Sequence, residues 1–322
     1  MRKLAGAAIA AAITLTASAA NLAQSADAYP ARNIRMIVPF PPGGSNDIMG
    51  RYFAHYLTDR FGKQVVLDNR PGADGIIGTE IVARAQPDGY TLLVASAAHA
   101  VNGGTRKLPY DAVKSFAWVG LMGLGPSVLS VHASVPANSV KDLIAHGKAN
   151  PDKLVISTSG GYAQFCTELF HHMSGMKLVV VVYKGGFPAL LDTMAGQVQI
   201  NMGSLIQTIP HMKTGKIKSL GTTGLKRAAA TPDLPAVAET IPGYEANNWW
   251  AVAAPAGTSP AIVNKITVEM ARYLKLPETL KRFEGEGVDA DYRNPDDMAR
   301  KDLPSEMAKW TNVAKIANIR TQ

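Results

Sequence analysis

Hydrophobic and polar positions follow two different periods along this chain, and the two periods alternate. Residues 34–39 and 64–68 form short apolar runs rich in β-branched side chains, which predicts strands. Between them, residues 47–61 place apolar side chains such as Phe53 and Leu57 three or four positions apart, which is typical of an amphipathic helix. The first part of the chain therefore predicts a βαβ unit.

The same alternation continues over most of the chain. Further strands are predicted at residues 90–95, 153–157, 178–183, 217–222 and 248–254. Helices are predicted at residues 75–86, between a capping-box motif at 139–142 and residue 150, through residues 168–173, and on both sides of a short strand within 188–213. The remaining C-terminal residues are predicted to be mostly helical. This pattern predicts an α/β fold in which helices cover both faces of parallel sheets.

The N-terminal segment predicts export. Arg2 and Lys3 give a basic start, residues 4–20 are uncharged and apolar, and small residues follow as far as Ala28. This arrangement is typical of a cleavable secretory signal peptide, which we place at residues 1–26. A permanent transmembrane anchor is the alternative, but the apolar run is short and is diluted by Ser and Thr. We therefore expect a soluble protein in the periplasm.

Composition narrows the class of protein. Hydrophobic residues make up 47% of the chain, which is enough for two domain cores at this length. Cys166 is the only cysteine, so an intrachain disulfide is excluded. The formal net charge of +8 is spread over interspersed basic and acidic residues, which suits attraction of anionic solutes. No basic run or basic-aromatic stripe is present, so nucleic-acid binding is not expected.

Residues 37–47 are the strongest candidate for a binding loop. A strand runs into three prolines, then Gly43 and Gly44, and then a helix start at which Ser45 or Asn46 is a candidate N-cap. Glycines let a ligand approach the backbone, and the exposed N–H groups of a helix N-terminus favour a carboxylate or a phosphate. The alternative is an ordinary strand-to-helix turn that binds nothing.

The sequence contains little evidence for cofactor binding, metal binding or catalysis. The three glycines within residues 72–78 lack the spacing of a dinucleotide-binding loop. Cys166 and His171 are five positions apart on one predicted helix and do not share a face, so we interpret Cys166 as a buried small side chain rather than a nucleophile. His171 and His172 are adjacent and cannot both face one metal, and no Gly-x-Ser-x-Gly nucleophile turn occurs. No cofactor, metal or catalytic residue is predicted.

Several short motifs together carry a family resemblance. In chain order they lie at residues 29–30, 37–51, 69–78, 87–92, 183–186, 196–198, 215–220, 232–235 and 250–260, and they include Asn69-Arg70-Pro71-Gly72-Ala73, Pro87-Asp88-Gly89-Tyr90 and Tyr183-Lys184-Gly185-Gly186. In this order the chain resembles the Bug-type substrate-binding proteins of tripartite tricarboxylate transporters. The resemblance covers essentially the whole chain after the signal peptide.

The resemblance implies a non-catalytic receptor with a two-domain Venus-flytrap fold, type II-like, in which crossing strands join two α/β lobes. Domain 1 would be discontinuous, comprising residues 27–130 and 250–322, and domain 2 would comprise residues 131–249. Such a receptor closes on a di- or tricarboxylate and delivers it to the membrane permease subunits of the transporter. We expect a monomer. The alternatives are the same receptor fold serving a signalling partner and, from another class, an exported hydrolase or isomerase.

The resemblance also implies which residues bind the ligand, from loops of both lobes. They are Phe40, Gly44, Ser45, Asp47, Ala73, Ser96, Ser159, Gly160, Tyr183, Gly185 and Met202. Other interpretations remain open for single residues. Asp47 can cap its helix and interact with the helix dipole, Lys184 can be a solvated cation, and Trp249 or Trp250 can pack at the crossing strands instead of stacking on a ligand.

The chain departs from the family pattern at one turn. Where relatives commonly have Gly-Ser-x-x-His, this sequence has Gly-Gly-Tyr-Ala-Gln at residues 160–164, so a hydroxyl and an imidazole are missing. Tyr162 or Phe165 can shape an aromatic-accepting wall instead, and Met202 offers an adaptable side chain at the expected rim of the cleft. These residues favour an aromatic dicarboxylate over citrate.

Overall fold

The computed structural model describes residues 29–319. The predicted signal peptide lies outside these residues. Nine strands are described, and in chain order they are β1 (Ile34–Val38), β2 (Val65–Asn69), β3 (Thr91–Ser96), β4 (Phe116–His132), β5 (Leu154–Ser159), β6 (Leu178–Tyr183), β7 (Ile200–Ser204), β8 (Ile217–Thr222) and β9 (Asn247–Pro255).

Helices connect these strands and form the C-terminal part of the described chain. They are α1 (Ser45–Phe61), α2 (Ile76–Ala83), α3 (Ala97–Thr105), α4 (Val140–Ala149), α5 (Tyr162–Ser174), α6 (Gly186–Met194), α7 (Leu205–Thr208), α8 (Pro260–Tyr273), α9 (Pro277–Glu286), α10 (Pro295–Asp297) and α11 (Leu303–Ile316). Local chemistry accounts for several boundaries. Gly62 ends α1 in a left-handed conformation, and the Ser139 hydroxyl accepts a hydrogen bond from the Asp142 N–H at the start of α4, as the capping-box motif predicts.

All nine strands belong to one continuous sheet in the order β2-β1-β3-β9-β4-β7-β5-β6, with β8 also paired to β4. We call the β2-β1-β3 end with its helices and α8–α11 lobe 1, and the β7-β5-β6 end with β8 and α4–α7 lobe 2. Pairing is parallel within β2-β1-β3 and within β7-β5-β6. Each group of parallel strands is therefore a βαβ assembly, as the alternating pattern predicts.

The centre of the sheet differs from the all-parallel arrangement that the alternation predicts. β9 is antiparallel to both β3 and β4, and β4 is antiparallel to β7 and β8. The first part of β4, up to Pro126, pairs with β9, and the part from Ser127 onward pairs with lobe 2. This 17-residue strand therefore crosses from one lobe to the other.

The central strands of the sheet are buried on both faces, whereas the edge strands β2 and β6 have exposed side chains. Along β1 and β3, the side chains of Met36 and Leu92 enter one hydrophobic cluster, and those of Ile37 and Leu93 enter another. Successive side chains of a strand point to opposite faces, so this division shows helices packed on both sides. The carboxyl ends of β1, β3, β5 and β6 are thereby held rigidly, and the loops that follow them meet between the lobes.

None of the helices within residues 29–319 is both long and apolar enough to cross a lipid bilayer. Over the same range, His, Cys, Asp and Glu side chains form no group of three that could hold a metal ion.

Candidate functional site

A pocket lies between the lobes where the loops after β1, β3, β5 and β6 converge. It contains about 720 Å³ of space between protein atoms, including space open to solvent. We call it the cleft pocket. Its wall is formed by Phe40, Pro41, Pro42, Gly44, Ser45, Asn46, Ser96, Ala98, Ser127, Ser159, Gly160, Tyr162, Ala163, Gly185, Gly186, Phe187, Pro188, Ala189, Asn201, Met202, Gly203, Ser204, Gln207 and Asn248.

Asp47 shapes the loop that follows β1. Its carboxylate accepts hydrogen bonds from the Gly43 N–H at 3.0 Å, from the Arg51 guanidinium at 2.9 and 3.0 Å, and from Asn69 Nδ2 at 3.0 Å. Asn69 also donates to the Phe40 carbonyl at 3.0 Å, which ties the loop to the end of β2. Burial raises the pKa of Asp47, but the bonds from Arg51, Gly43 and Asn69 outweigh it, so the pKa lies below its ordinary value.

Asn46 fixes the first turn of α1 against the centre of the sheet. Its side-chain oxygen accepts a hydrogen bond from Trp250 Nε1 at 3.0 Å, and its Nδ2 donates to Ser96 Oγ at 3.1 Å. The N-cap of α1 is Gly44, and no side chain caps the helix. The prediction that Ser45 or Asn46 is the N-cap is therefore wrong, because the amide of Asn46 is engaged in this tertiary network.

In lobe 2, the loop between β6 and α6 approaches the loop of lobe 1 closely. A Cβ added at Gly185 would lie 3.1 Å from Cγ of Pro41, and one added at Gly43 would lie 3.6 Å from the ring of Phe187. Gly185 has a φ of +145° and Gly43 a φ of +79°, which glycine adopts readily. The two loops therefore touch across one end of the cleft pocket, which we call the α1/α6 end.

The opposite end of the pocket is closed by a second contact between the lobes. A Cβ added at Gly161, which precedes α5, would lie 3.1 Å from the Cβ of Ala98 in the first turn of α3. We call this the α3/α5 end. The two contacts together show that loops of both lobes touch beside the pocket in this structure.

Helix N-termini dominate the electrostatics of the pocket. The helices α1, α3, α5 and α6 all begin at its wall, and none of the four has a side-chain N-cap hydrogen bond. First-turn N–H groups lack partners within their own helix and carry partial positive charge. Among the described residues, the wall contains no Asp, Glu, Lys, Arg or His side chain. The arrangement can therefore bind an anion through neutral donors.

Four wall residues also present buried polar atoms without a hydrogen-bond partner among the described residues. These atoms are Tyr162 Oη, Asn201 Oδ1, Ser204 Oγ and Gln207 Nε2. Asn201 is 1% exposed and Gln207 is 6% exposed. Because a buried polar group without a partner is costly, such atoms in a pocket wall indicate groups that a ligand or water satisfies.

Eight of the eleven residues predicted to bind a ligand line the cleft pocket. They are Phe40, Gly44, Ser45, Ser96, Ser159, Gly160, Gly185 and Met202. Their contact with a ligand stays a prediction.

The other three predicted residues lie outside the wall. Asp47 uses its carboxylate within the loop, where it accepts hydrogen bonds from Gly43 and Arg51, and it does not cap α1. Ala73 belongs to a tight turn at Ala73–Gly75 with a φ of +45°. Tyr183 turns its hydroxyl to Asp192, to which it donates at 2.8 Å.

The structure also shows where the aromatic and charged residues with open alternatives lie. Tyr162 lines the pocket, whereas Phe165 packs in the core against Trp310. Trp250 is fully buried at the crossing strands, and Lys184 is exposed and outside the wall. Cys166 is fully buried, as its interpretation as a small apolar side chain predicts, and burial raises its pKa to about 12.

Sequence reasoning missed several wall residues. They are Asn46, Ser127, Asn201, Ser204, Gln207 and Asn248, besides apolar neighbours such as Phe187. For Asn201 a local signal exists, because a polar residue inside a short apolar strand is unusual. The others come from elements far apart in sequence, and no local pattern brings them together.

Comparison with known proteins gives a consistent result. The family model described as tripartite tricarboxylate transporter family receptor matches residues 49–319. Protein BugT of Bordetella pertussis is 34% identical over 297 residues, which cover 90% of this chain and 91% of BugT. Among solved structures, that of R. palustris Rpa4515 with adipate has a TM-score of 0.87 at 34% identity, covering 90% of this chain and 98% of that one.

Two further structures show the same fold. The periplasmic binding protein BugD has a TM-score of 0.86 at 31% identity, covering 91% of this chain and all of BugD. MatC from Rhodopseudomonas palustris with bound malate has a TM-score of 0.83 at 26% identity, covering 88% and 99% of the two chains. The fold is that of the periplasmic binding proteins, and the chain belongs to the Bug-type receptor family of tripartite tricarboxylate transporters.

Proposed function

We propose that this chain is a periplasmic receptor that binds a small organic carboxylate in the cleft pocket and delivers it to the permease subunits of a tripartite tricarboxylate transporter. The observation that carries the proposal is a pocket without charged side chains among its described wall residues, at which four helices begin. Adipate and malate, the ligands named for two structural neighbours, are both carboxylates. Di- and tricarboxylates, including aromatic ones, are the classes that the sequence predicts.

Neutral hydrogen-bond donors are sufficient to bind a carboxylate. Backbone N–H groups and hydroxyls form short charge-assisted hydrogen bonds to a carboxylate, and water can bridge the longer gaps. The first-turn N–H groups of α1 and α6 are fixed by the packing of their helices, so they need no reorganisation when a ligand arrives. Gln207 Nε2 supplies a buried donor without another partner in the described structure.

The same wall argues against an exported hydrolase or isomerase. Acid–base chemistry needs a titratable group within hydrogen-bond reach of the substrate. The two titratable side chains that such an enzyme could use are Asp47 and Lys184. The carboxylate oxygens of Asp47 are bonded to Gly43, Arg51 and Asn69, and Lys184 lies outside the wall. We therefore propose binding without turnover.

We propose that closure of the two lobes around the ligand allows its delivery to the permease. A ligand that contacts loops of both lobes stabilises the closed state by the difference between its affinities for the closed and open states. We propose that the lobes correspond to domains of residues 27–130 with 250–322 and of residues 131–249. The closed monomer is then the form that a permease recognises, and recognition by a signalling protein is the alternative use of the same surface.

The proposal is tested by thermal shift of the protein lacking residues 1–26 against mono-, di- and tricarboxylates, both aliphatic and aromatic. A ligand that binds only the folded state raises the melting temperature by mass action. Ala163→Trp fills the pocket at a wall residue and should abolish the shift. Ala149→Trp, at an exposed residue at the end of α4, should preserve it. Chemical conversion of a bound acid, or no binding by any acid, would overturn the proposal.

A further inference from the structure

Asp74 occupies an unusual position beside the cleft pocket. It lies in the Ala73–Gly75 turn with φ of +54° and ψ of +32°, a left-handed conformation that costs about 1 kcal/mol for a residue with a side chain. Its carbonyl accepts a hydrogen bond from Asn102 Nδ2 at 3.0 Å, and its Oδ2 pairs with the Arg106 guanidinium. Asn102 on α3 and Arg106, the residue that follows this helix, therefore hold Asp74 in a conformation that it would not adopt alone.

The carboxylate of Asp74 reaches across to lobe 2. A Cβ added at Gly160 would lie 1.6 Å from Asp74 Oδ1, so Oδ1 occupies the space where any other residue at position 160 would place its side chain. Gly160 itself belongs to the wall of the pocket. A carboxylate of lobe 1 therefore contacts the turn that begins α5, directly behind the wall at the α3/α5 end.

Asp74 and Asp47 differ in how their charges are compensated. Both oxygens of Asp47 accept hydrogen bonds, from a guanidinium, a backbone N–H and an amide. Among residues 29–319, Asp74 Oδ1 has no hydrogen-bond donor, and only Oδ2 is paired. The negative charge of Asp74 Oδ1 therefore faces the N-terminal turn of α5, where it interacts favourably with the partial positive charge of that helix end.

We propose that Asp74 is a specificity-determining residue that limits the ligand to one carboxylate, bound at the α1/α6 end, with an uncharged group at the α3/α5 end. The inference rests on the proposed function and replaces the di- or tricarboxylate class that the sequence predicts with the monocarboxylates. A second ligand carboxylate at the α3/α5 end would contact Gly160 and would therefore lie close to Asp74 Oδ1, which contacts the same glycine. Two like charges at such distances repel each other even at an effective dielectric constant of about 20. The α1/α6 end has Gln207 Nε2 as an unused donor, and both carboxylate oxygens of its acid, Asp47, accept hydrogen bonds. At the α3/α5 end the wall group without a partner among residues 29–319 is the uncharged hydroxyl of Tyr162.

Matched pairs of acids measure this preference directly. By calorimetry, the wild-type protein should bind hexanoate more tightly than adipate, or benzoate more tightly than terephthalate, by about tenfold. Asp74→Asn keeps the shape of the side chain but leaves Arg106 as an uncompensated cation, so it should reverse the preference within each pair. Asp74→Gly suits the left-handed backbone and removes the charge if the amide variant folds poorly.

The ratio of the two affinities separates specificity from a structural role. A merely structural contact would weaken mono- and diacids equally on substitution and leave the ratio unchanged. Glu80→Gln, which breaks the exposed Glu80–Arg84 pair on α2, is the matched control and should also leave the ratio unchanged. Diacids that bind the wild-type protein as tightly as monoacids, with no change in Asp74→Asn, would overturn the inference but leave the proposed receptor function intact. Failure of every acid to bind would remove both.

Discussion

The indole Nε1 of Trp250 donates a hydrogen bond to the side-chain oxygen of Asn46 at 3.0 Å, across 204 residues of sequence. Trp250 lies on β9 at the centre of the sheet, and Asn46 lies in the first turn of α1 at the wall of the cleft pocket. Both side chains are buried. This bond therefore fixes the N-terminal end of α1 to the central strands that join the lobes.

Replacing Trp250 by Phe should destabilise the protein and weaken ligand binding. The substitution leaves the buried Asn46 oxygen without its donor, which costs about 1–3 kcal/mol. Trp249→Phe removes a similar ring volume, but its Nε1 has no acceptor among the described residues, so it is the matched control. Urea unfolding should show a larger loss of unfolding free energy for Trp250→Phe. Equal losses in the two variants would mean that this hydrogen bond contributes little.

Asp47→Asn should lower stability in a pH-dependent way. The pKa of Asp47 lies below its ordinary value because the bonds from Arg51, Gly43 and Asn69 outweigh the effect of burial. A depressed pKa stabilises the fold above the unfolded-state value of about 3.9, and this contribution is lost as pH falls through the folded-state value. The variant should therefore be about 1–3 kcal/mol less stable at pH 7, with a smaller deficit below about pH 4.

Asp59→Asn is the control for this pH dependence, because Asp59 lies on the same helix with its side chain 69% exposed. Its unfolding free energy should follow that of the wild-type protein closely from pH 3 to pH 7. A deficit of Asp47→Asn that does not change with pH would contradict the assigned role of the carboxylate charge.

Gly160→Ala should impair closure, and Asp74→Gly should rescue it. The added methyl group would lie 1.6 Å from Asp74 Oδ1, so the lobes could not reach the observed arrangement without displacing Asp74. We expect affinity for one chosen monocarboxylate to fall at least tenfold in Gly160→Ala and to recover in the double variant. In a control double-mutant cycle that combines Gly160→Ala with Glu80→Gln, the effects on affinity should be additive. If the effects of Gly160→Ala and Asp74→Gly were additive as well, the contact between residues 160 and 74 would not determine closure.

Cys166 should be unreactive in the folded protein. The side chain is fully buried, and burial raises its pKa to about 12, so almost no thiolate forms at pH 8. Iodoacetamide should therefore label the native protein negligibly and the urea-unfolded protein with one equivalent, as measured by intact mass. Rapid labelling of the native state would show that α5 opens readily.

The local pattern of the sequence determined much of the secondary structure of this protein. The strand β1, the glycine-rich loop and α1 were predicted because their hydrophobic period and their turn residues lie within a short stretch of chain. The bonds of Asp47 within its loop are local for the same reason, since Gly43 and Arg51 are each four positions away. Family motifs in order along the chain then indicated two lobes and a cleft.

Tertiary structure alone decided the rest. The strand β4 contains Gly120, Gly123, Gly125 and Pro126, which weaken a local strand signal, and its antiparallel partners on β9 stabilise it from more than a hundred residues away. The contact of Asp74 with Gly160 and the bond of Trp250 to Asn46 likewise join distant segments. Such pairs depend on how the lobes pack around β4, because neither residue carries a local signal that identifies its partner.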